Sequence, residues 1–599
     1  MKSPIELLQY MLADASMWCC TCTTRDFKTI TSRYLHEGES FLTITLPSFS
    51  TDFERSLDEG CVDPSLFASF SKYKALPRFL GGLLDLVFDR CSGRLLDAPD
   101  PTAIFFIRQI SLSCKKLLNP CSDARERKAF DQFIECEKEV RAWGDDVATT
   151  ELLVRFSSVS SLLWAADCSH LDLLVYGNNL IPKHGPGKTA DRTIGNEKYD
   201  HSLWHTRLEE YFSSSDYRIV NYGFFDELTS VTFLEPEAET PCRVVSVPKT
   251  LKTPRIIAIE PTCMQYTQQS LMEVIVDRLE RSDILKGSIG FTDQVPNQEL
   301  ARKGSIDGSL ATIDLSEASD RVSNLLVLEM LKPFPHLSGA VQACRSKRVD
   351  VPGHGVQTVA KFASMGSALC FPLEAMVFLT IVCIGYADML NRKLSSKDLE
   401  GLLPKVRVYG DDIIIPVEIV PYVVDALVRY GLVVNRKKSF WTGKFRESCG
   451  KDYYCGSDVS VTYIRRNLPT QRSNVQEMLS LIALRNRLYA NGLWTTARAI
   501  DDIWRRLAPL PVVLPTSPIL GRHSFLGFVQ ERFCPNLHIP LVKGYVVRAI
   551  SPKSFISGHG ALLKFFLKRG SDPVFDVKHL ERYGRPDTVD IKIRWAPAY

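Results

Sequence analysis

The hydrophobic pattern changes period several times along the chain, and each change marks a predicted element. Val406 and Val408 alternate with charged neighbours, Tyr409-Gly410-Asp411-Asp412 interrupts them, and Ile413-Ile414-Ile415 follows without a break. Two β-branched runs around a Gly-Asp turn predict a β-hairpin with adjacent carboxylates at its tip. Leu310-Ala311-Thr312-Ile313 reads as a short core strand that delivers Asp314 at its end, with a helix expected over 320–331. Val244–Val247 and Ile256–Ile259 read as strands flanking a turn, and a helix is expected over 265–281. The solid apolar run 375–387, closed by Glu374 and Asp388, predicts a buried core helix with Pro372 in its first turn. That run is too short for a bilayer. Helical spacing also covers 79–88, 103–118, 417–431 and 474–507, while 433–434 and 459–465 read as strands. No internal repeat or low-complexity tract interrupts this.

Composition narrows the class. The 599 residues are 45% hydrophobic and 24% charged, the balance of a globular chain with room for several subdomains. The formal net charge is only +4, so a nucleic-acid partner has to be held by local basic patches. Seventeen cysteines, an odd number, without a basic and apolar leader at the N-terminus, predict free thiols in a reducing cytoplasm. Cys19-Cys20-x-Cys22 lacks a second Cys/His pair at finger-like spacing, so a zinc site is not expected there.

Candidate chemistry then enters in chain order. Gly187-Lys188-Thr189 imitates a phosphate loop, but the motif needs glycine at 182, where Pro182 stands. What remains is a rigid Gly/Pro turn carrying Lys183, His184, Lys188 and Arg192, fit either for phosphates or for solvent. The 244–259 hairpin carries Lys249, Lys252 and Arg255 with no acidic residue between Arg243 and Arg255. Such a turn suits a triphosphate or an RNA backbone, or guards a sheet edge. Asp314 stands where a metal ligand would, and Asp320 either points into the same cleft or caps a helix. Ser364, Gly366 and Ser367 form a small-residue loop, allowing close approach to a ligand or tight helix packing. Asn435-Arg436-Lys437-Lys438 places a basic cluster after a strand, and Lys553, Lys564, Lys568 and Arg569 give the C-terminus a basic character. Asp314, Asp411 and Asp412 on neighbouring strand ends, with a basic hairpin upstream, fit two-metal phosphoryl transfer, and aspartate suits Mg²⁺ because it is hard, charged and short.

The order of these blocks resembles that of viral RNA-dependent RNA polymerases. Asp314-x5-Asp320, Ser364-Met365-Gly366 and Tyr409-Gly410-Asp411-Asp412 look like their motifs A, B and C, and 249–255 looks like motif F. His184-Gly185-Pro186-Gly187, Ala258-Ile259-Glu260-Pro261, Asp314-Leu315-Ser316-x-Ala318-Ser319-Asp320 and Phe445-Arg446-Glu447-Ser448-Cys449-Gly450-Lys451 resemble more specifically the replicase β subunits of leviviruses, the single-stranded RNA bacteriophages. The resemblance spans roughly 180–466.

It implies an α+β right hand with an antiparallel palm sheet. A helical N-terminal region would occupy 1–175, fingers 176–310 and 340–362, palm 311–339 and 363–465, and a mostly helical thumb would follow 466, with the C-terminal region, in 466–599. It implies two Mg²⁺ ions, with Mn²⁺ able to substitute, held by the catalytic Asp314, Asp411 and Asp412. Lys249, Lys252 and Arg255 would grip the triphosphate, and Asp320, Ser364 and Gly366 would line the nucleotide site. Asp320 would accept from the ribose 2′-hydroxyl, a job that many viral polymerases share with a motif B asparagine; none stands at the usual offset here. Lys437 or Lys438 would protonate pyrophosphate, and the 453–456 stretch would lie near the primer strand. His184, Lys188 and Arg192 would contact template. Implied partners are single-stranded RNA, NTPs, host elongation factors Tu and Ts and a ribosomal protein, without a membrane, in the cytoplasm of a bacterial host. Two other readings compete: a reverse transcriptase, disfavoured because Asp320 stands where those enzymes usually carry a bulky aromatic, and a catalytically inactive palm that binds RNA.

Overall fold

The central strands form where the sequence alternates or saturates with β-branched residues. In the computed structural model, which describes residues 4–147, 150–185, 187–193, 195–550, 558–569 and 588–599, Asp412–Pro416 lies between Arg407–Tyr409 and Leu310–Ile313 in an antiparallel three-stranded sheet. The register sets Ile413 opposite Ile313, so the chain leaves the sheet at Asp314 beside the hairpin tip. Leu310 to Ile313 are buried on both faces, which explains their unbroken apolar run. The hairpin turns at Gly410, whose φ is +59°. A Cβ there would meet the Phe371 ring at 2.0 Å, so only glycine fits.

Behind this sheet lies the helix Cys370–Leu390, with Pro372 in its first turn and almost every residue buried. At 21 residues it is longer than the apolar run alone predicted, and long and apolar enough to cross a membrane; 89% of its most apolar window is nonetheless packed inside the fold. It packs against Val420–Arg429 and Glu151–Tyr176. The basic hairpin forms as expected from Cys242–Val247 and Arg255–Ile259, followed by the helix Thr262–Glu280. Arg348–Val351 adds a parallel strand to its edge.

The first 175 residues do not pack as one body. Buried residues between Leu7 and Leu117 share a core with residues from Phe440 to Ala508, whereas Glu151–Tyr176 belongs to the central core. Buried polar links explain the first partnership. Arg108 lies 2.9 Å from Glu54 and 3.0 Å from Asp452, and Asp14 accepts from Thr495 N and Thr496 N at 2.8 and 2.9 Å, closing the start of helix Trp494–Arg505.

Several expected elements differ. The 79–88 stretch contains a single helical turn, Gly81–Leu84, and the 103–118 helix is Pro101–Leu112. The helix expected over 320–331 is split into Ala318–Arg321 and Asn324–Leu331. Ser323, not Asp320, caps the longer piece, accepting from Leu325 N. The 474–507 helix breaks into Val475–Ala490 and Trp494–Arg505 at Gly492, whose φ is +82°. Residues 459–465 form no strand, and their backbone bonds elsewhere: Val459 N donates to Asp452 O at 2.8 Å and Ile464 N to Ser113 O at 2.7 Å. Among the described residues after 466, helices are joined by a four-stranded sheet in which Pro540–Ile550 and Thr588–Pro597 pair along ten residues each. Lys553 lies outside the described residues, as do the side chains of Lys568 and Arg569.

Candidate active site

Asp314 follows its strand directly, and its carboxylate is held by a residue the sequence reading left without a role. Asn435 Nδ2 donates to Asp314 Oδ2 at 2.7 Å, and Asn435 N donates to Asp314 O at 2.9 Å. Burial, and then Asp411, push the Asp314 carboxyl above its ordinary range, against the pull of Lys438 and Asn435. Asp411 is exposed at the hairpin tip, while Asp412 turns inward and accepts from Cys449 N at 3.2 Å. Burial, with Asp411 and Glu447 beside it, pushes Asp412 up to about 7.

Two cations answer these carboxylates. Lys438 Nζ lies 3.8 Å from Asp314 Oδ1. Partial burial works against its charge, but Glu447, Asp314, Asp411 and Asp412 together raise its pKa. Lys437 and Lys438 are both exposed, and of the two it is Lys438 that reaches an aspartate among the described residues, while the Lys437 N–H donates to Asn435 Oδ1. Lys249 reaches the same place: desolvation and the Arg255 and Lys438 charges lower its pKa, and Asp314 and Asp411 pull it back. Arg255 is exposed beside it, and Lys252 is exposed at the turn. The turn is pinned from the N-terminal region, where Arg125 Nη1 donates to Leu251 O at 2.8 Å.

Asp320 has its own partners. Its Oδ1 accepts from Lys361 Nζ and from Ser364 Oγ, both at 2.9 Å. Gly366 follows with φ of +131°, and a Cβ there would lie 1.9 Å from Ala258 O. The small-residue loop is therefore pressed onto the basic hairpin, with Ala258 N donating to Met365 O at 2.9 Å. Tyr453 and Tyr454 are buried in the strand Lys451–Tyr454.

The 181–192 turn is not assembled with these residues as expected. His184 faces inward, its ring stacked 4.6 Å from Tyr266 and 5.0 Å from His201, so packing rather than template occupies it. Lys183 pairs with Glu273 at 2.8 Å. Lys188 and Arg192 remain exposed.

The donor set fits a hard divalent cation. Three short carboxylates carry excess negative charge, two of them have raised pKa values, and the Lys438 ammonium neutralises the charges a metal would. Among the described residues no three His, Cys, Asp or Glu side chains already converge as a cage, and Asp412 is turned toward Cys449. Glu374, Glu447, Asn435 and Lys361 escaped the sequence reading. Asn435 and Glu447 lay inside recognised stretches, but nothing in their local pattern tells which way their side chains turn. Glu374, below the hairpin, is pushed up to about 8, first by burial and then by Asp411.

Residues 232–510 match the model of a family described as RNA replicase, beta-chain. The chain is 37% identical over 262 residues to the RNA-directed RNA polymerase subunit beta of Escherichia virus Qbeta, covering 44% of this chain and 39% of that one. It is 36% identical over 270 residues to the RNA-directed RNA polymerase beta chain of Escherichia phage MS2, covering 44% of each. For the corresponding chain of Enterobacteria phage GA the identity is 34% over 345 residues, covering 56% and 58%. The chain thus spans between 39% and 58% of the length of these curated relatives. Among solved structures, an "RdRp complex" aligns with a TM-score of 0.36 at 13% identity, covering 60% of this chain and 34% of that one. The RNA-dependent RNA polymerase of a human picorbirnavirus aligns with a TM-score of 0.31 at 12% identity, covering 44% and 55%. The family match to the RNA replicase β chain therefore covers the segment that carries the 407–416 hairpin, Asp314, the Ser364–Gly366 loop and Lys438.

Proposed function

We propose that this chain is an RNA-directed RNA polymerase that copies a viral RNA genome, adding NTPs to an RNA 3′-hydroxyl with release of pyrophosphate. The observation that carries the reading is the meeting of Asp314 with the Asp411–Asp412 tip, faced by Lys438 and Lys249. Asp314, Asp411 and Asp412 would hold two Mg²⁺ ions, which when bound would acidify the attacking 3′-hydroxyl and stabilise the leaving pyrophosphate. Lys249, Lys252 and Arg255 bind the triphosphate on the basic hairpin. Of Lys437 and Lys438, Lys438 would hand a proton to the pyrophosphate, a reading supported by its 3.8 Å approach to Asp314 Oδ1. Asp320, with Ser364 and Gly366, forms the wall against the ribose. Lys188 and Arg192 are the exposed cations available to template.

In this reading 311–339 and 363–465 form the palm, 176–310 and 340–362 the fingers, and 466–599 the thumb and C-terminal region. Partners are a single-stranded RNA template and, by likeness to phage replicase β chains, host elongation factors Tu and Ts and a ribosomal protein in the bacterial cytoplasm. The test is Mg²⁺-dependent incorporation of labelled NTPs on a single-stranded RNA, with dNTPs in parallel, for wild type and Asp411→Asn. NTP incorporation that disappears in the variant is expected. A preference for dNTPs would favour a reverse transcriptase, and RNA binding without incorporation, even with bacterial extract, would leave an inactive RNA-binding palm.

A further inference from the structure

Lys361 is a lysine with 1% of its surface exposed. Its Nζ lies 2.9 Å from Asp320 Oδ1 and 3.4 Å from the centre of the Phe133 ring. A buried ammonium is retained only where its partners compensate the lost water, and here the partners are one carboxylate oxygen and one aromatic face. The lysine is itself held: Lys361 O accepts from Arg345 Nη2 at 2.6 Å, and Ala360 O accepts from Asn324 N at 3.0 Å. Phe133 belongs to the helix Asp123–Val147, whose Cys136 Sγ lies 3.6 Å from Asp320 O.

Ser364 Oγ donates to the same Oδ1 that Lys361 occupies. Both fixed donors thus converge on one oxygen, and Asp320 Oδ2 has no hydrogen-bond partner among the described residues. A carboxylate anchored through one oxygen cannot swing to find another partner, so the second oxygen is an acceptor of fixed direction. A site of this kind rejects an analogue that lacks the matching hydroxyl, because the acceptor is then left unpaired.

We propose that Lys361 is the positioning residue for sugar selection: by anchoring Oδ1 of Asp320 against Phe133 and Ser364, it aims Oδ2 at the 2′-hydroxyl of the incoming nucleotide. This rests on the polymerase reading of the site. It also gives the N-terminal helix Asp123–Val147 a task, as the back wall of the nucleotide pocket.

The experiment measures kcat/KM for one NTP and its 2′-deoxy counterpart on a single RNA template, for wild type, Lys361→Met and Lys361→Arg, with thermal melts alongside. In Lys361→Met the NTP:dNTP ratio is expected to fall at least ~10-fold, with the loss on the NTP side and the dNTP value within about threefold of wild type. Lys361→Arg, which keeps the cation but cannot place one N–H between the ring and Oδ1 in the same way, is expected to fall between the two. A wild-type ratio in both variants, or an equal fall for both nucleotides, would overturn the proposal and leave Lys361 a structural residue. If Lys361→Met does not fold, Lys361→Arg decides by the same criterion. No incorporation of either nucleotide by the wild-type chain would instead overturn the polymerase reading, and this inference with it.

Discussion

Two clusters of desolvated titratable groups differ in what surrounds them. At the hairpin tip, burial drives the Asp314 and Asp412 carboxyls up, the Asp411 charge adds to the effect, and the cations Lys438 and Lys249 answer from a partly exposed rim. Around His184 and His201, burial drives the imidazoles down, His201 to about 3, and the answer comes from rings. His184 packs edge-on to Tyr199 at 4.7 Å, and His201 lies 4.4 Å from Tyr266. The nearby Lys198 ammonium is tied to the carbonyls of Gly185 and Gly187. The difference teaches that a displaced pKa does not by itself mark a site. Charge left partly unanswered at an open rim calls for a ligand, whereas neutral rings stacked on one another are scaffold.

The largest effect that separates the two clusters is expected from Asp411→Asn. Incorporation of NTP should fall by ~10³-fold or more, because under the proposed function Asp411 would be a ligand of the metals. The melting temperature should hold or rise, because the charge that raises Asp412 is gone. A drop in melting temperature with activity retained would put the aspartates in the scaffold class.

Lys438→Met comes next, with an expected loss of roughly 10²-fold in incorporation rate, against less than about threefold for Lys437→Met. Equal losses in the two variants would remove the distinction drawn from the 3.8 Å approach of Lys438 to Asp314.

The histidine cluster is expected to show in stability and its pH dependence. His201 sits below its ordinary 6.5 in the folded state, so the unfolded chain binds the proton first as pH falls. Stability from this group is therefore present above 6.5 and lost progressively toward about 3. One such histidine removes about 2 kcal/mol between roughly pH 7 and pH 5, and His201→Gln should abolish that part of the slope in equilibrium unfolding. An unchanged slope would show that the cluster titrates freely.

The smallest effect is expected at the exposed cations of the same turn. Lys188→Ala and Arg192→Ala should each weaken RNA binding about two- to threefold and reduce the salt dependence by roughly one counterion. His184→Phe should leave that salt dependence unchanged.

Some of this was legible because it is local. A β-branched run on each side of Gly410 can only turn there, and the unbroken run from Leu310 to Ile313 has to be buried on both faces, which brings Asp314 to the strand end. The break at Gly492 was also local: an Asn-Gly pair inside an apolar helical pattern is a stop signal, and it outweighs the periodicity on either side. The strand Pro540–Ile550 is rich in valine, but its partner Thr588–Pro597 lies far along the chain, so the sheet could not be read from either segment alone.

The sequence by itself determined the order of chemistry: a strand ending in Asp314, a hairpin carrying Asp411 and Asp412, and a basic hairpin upstream, since strand period and turn chemistry are properties of neighbouring residues. Only the tertiary structure decided which side chains meet. It turned His184 inward, set Lys438 rather than Lys437 against the aspartates, and buried Lys361 between Phe133 and Asp320. These outcomes depend on contacts between segments remote in sequence. A lysine reads the same in the chain whether its ammonium ends in water or against a carboxylate.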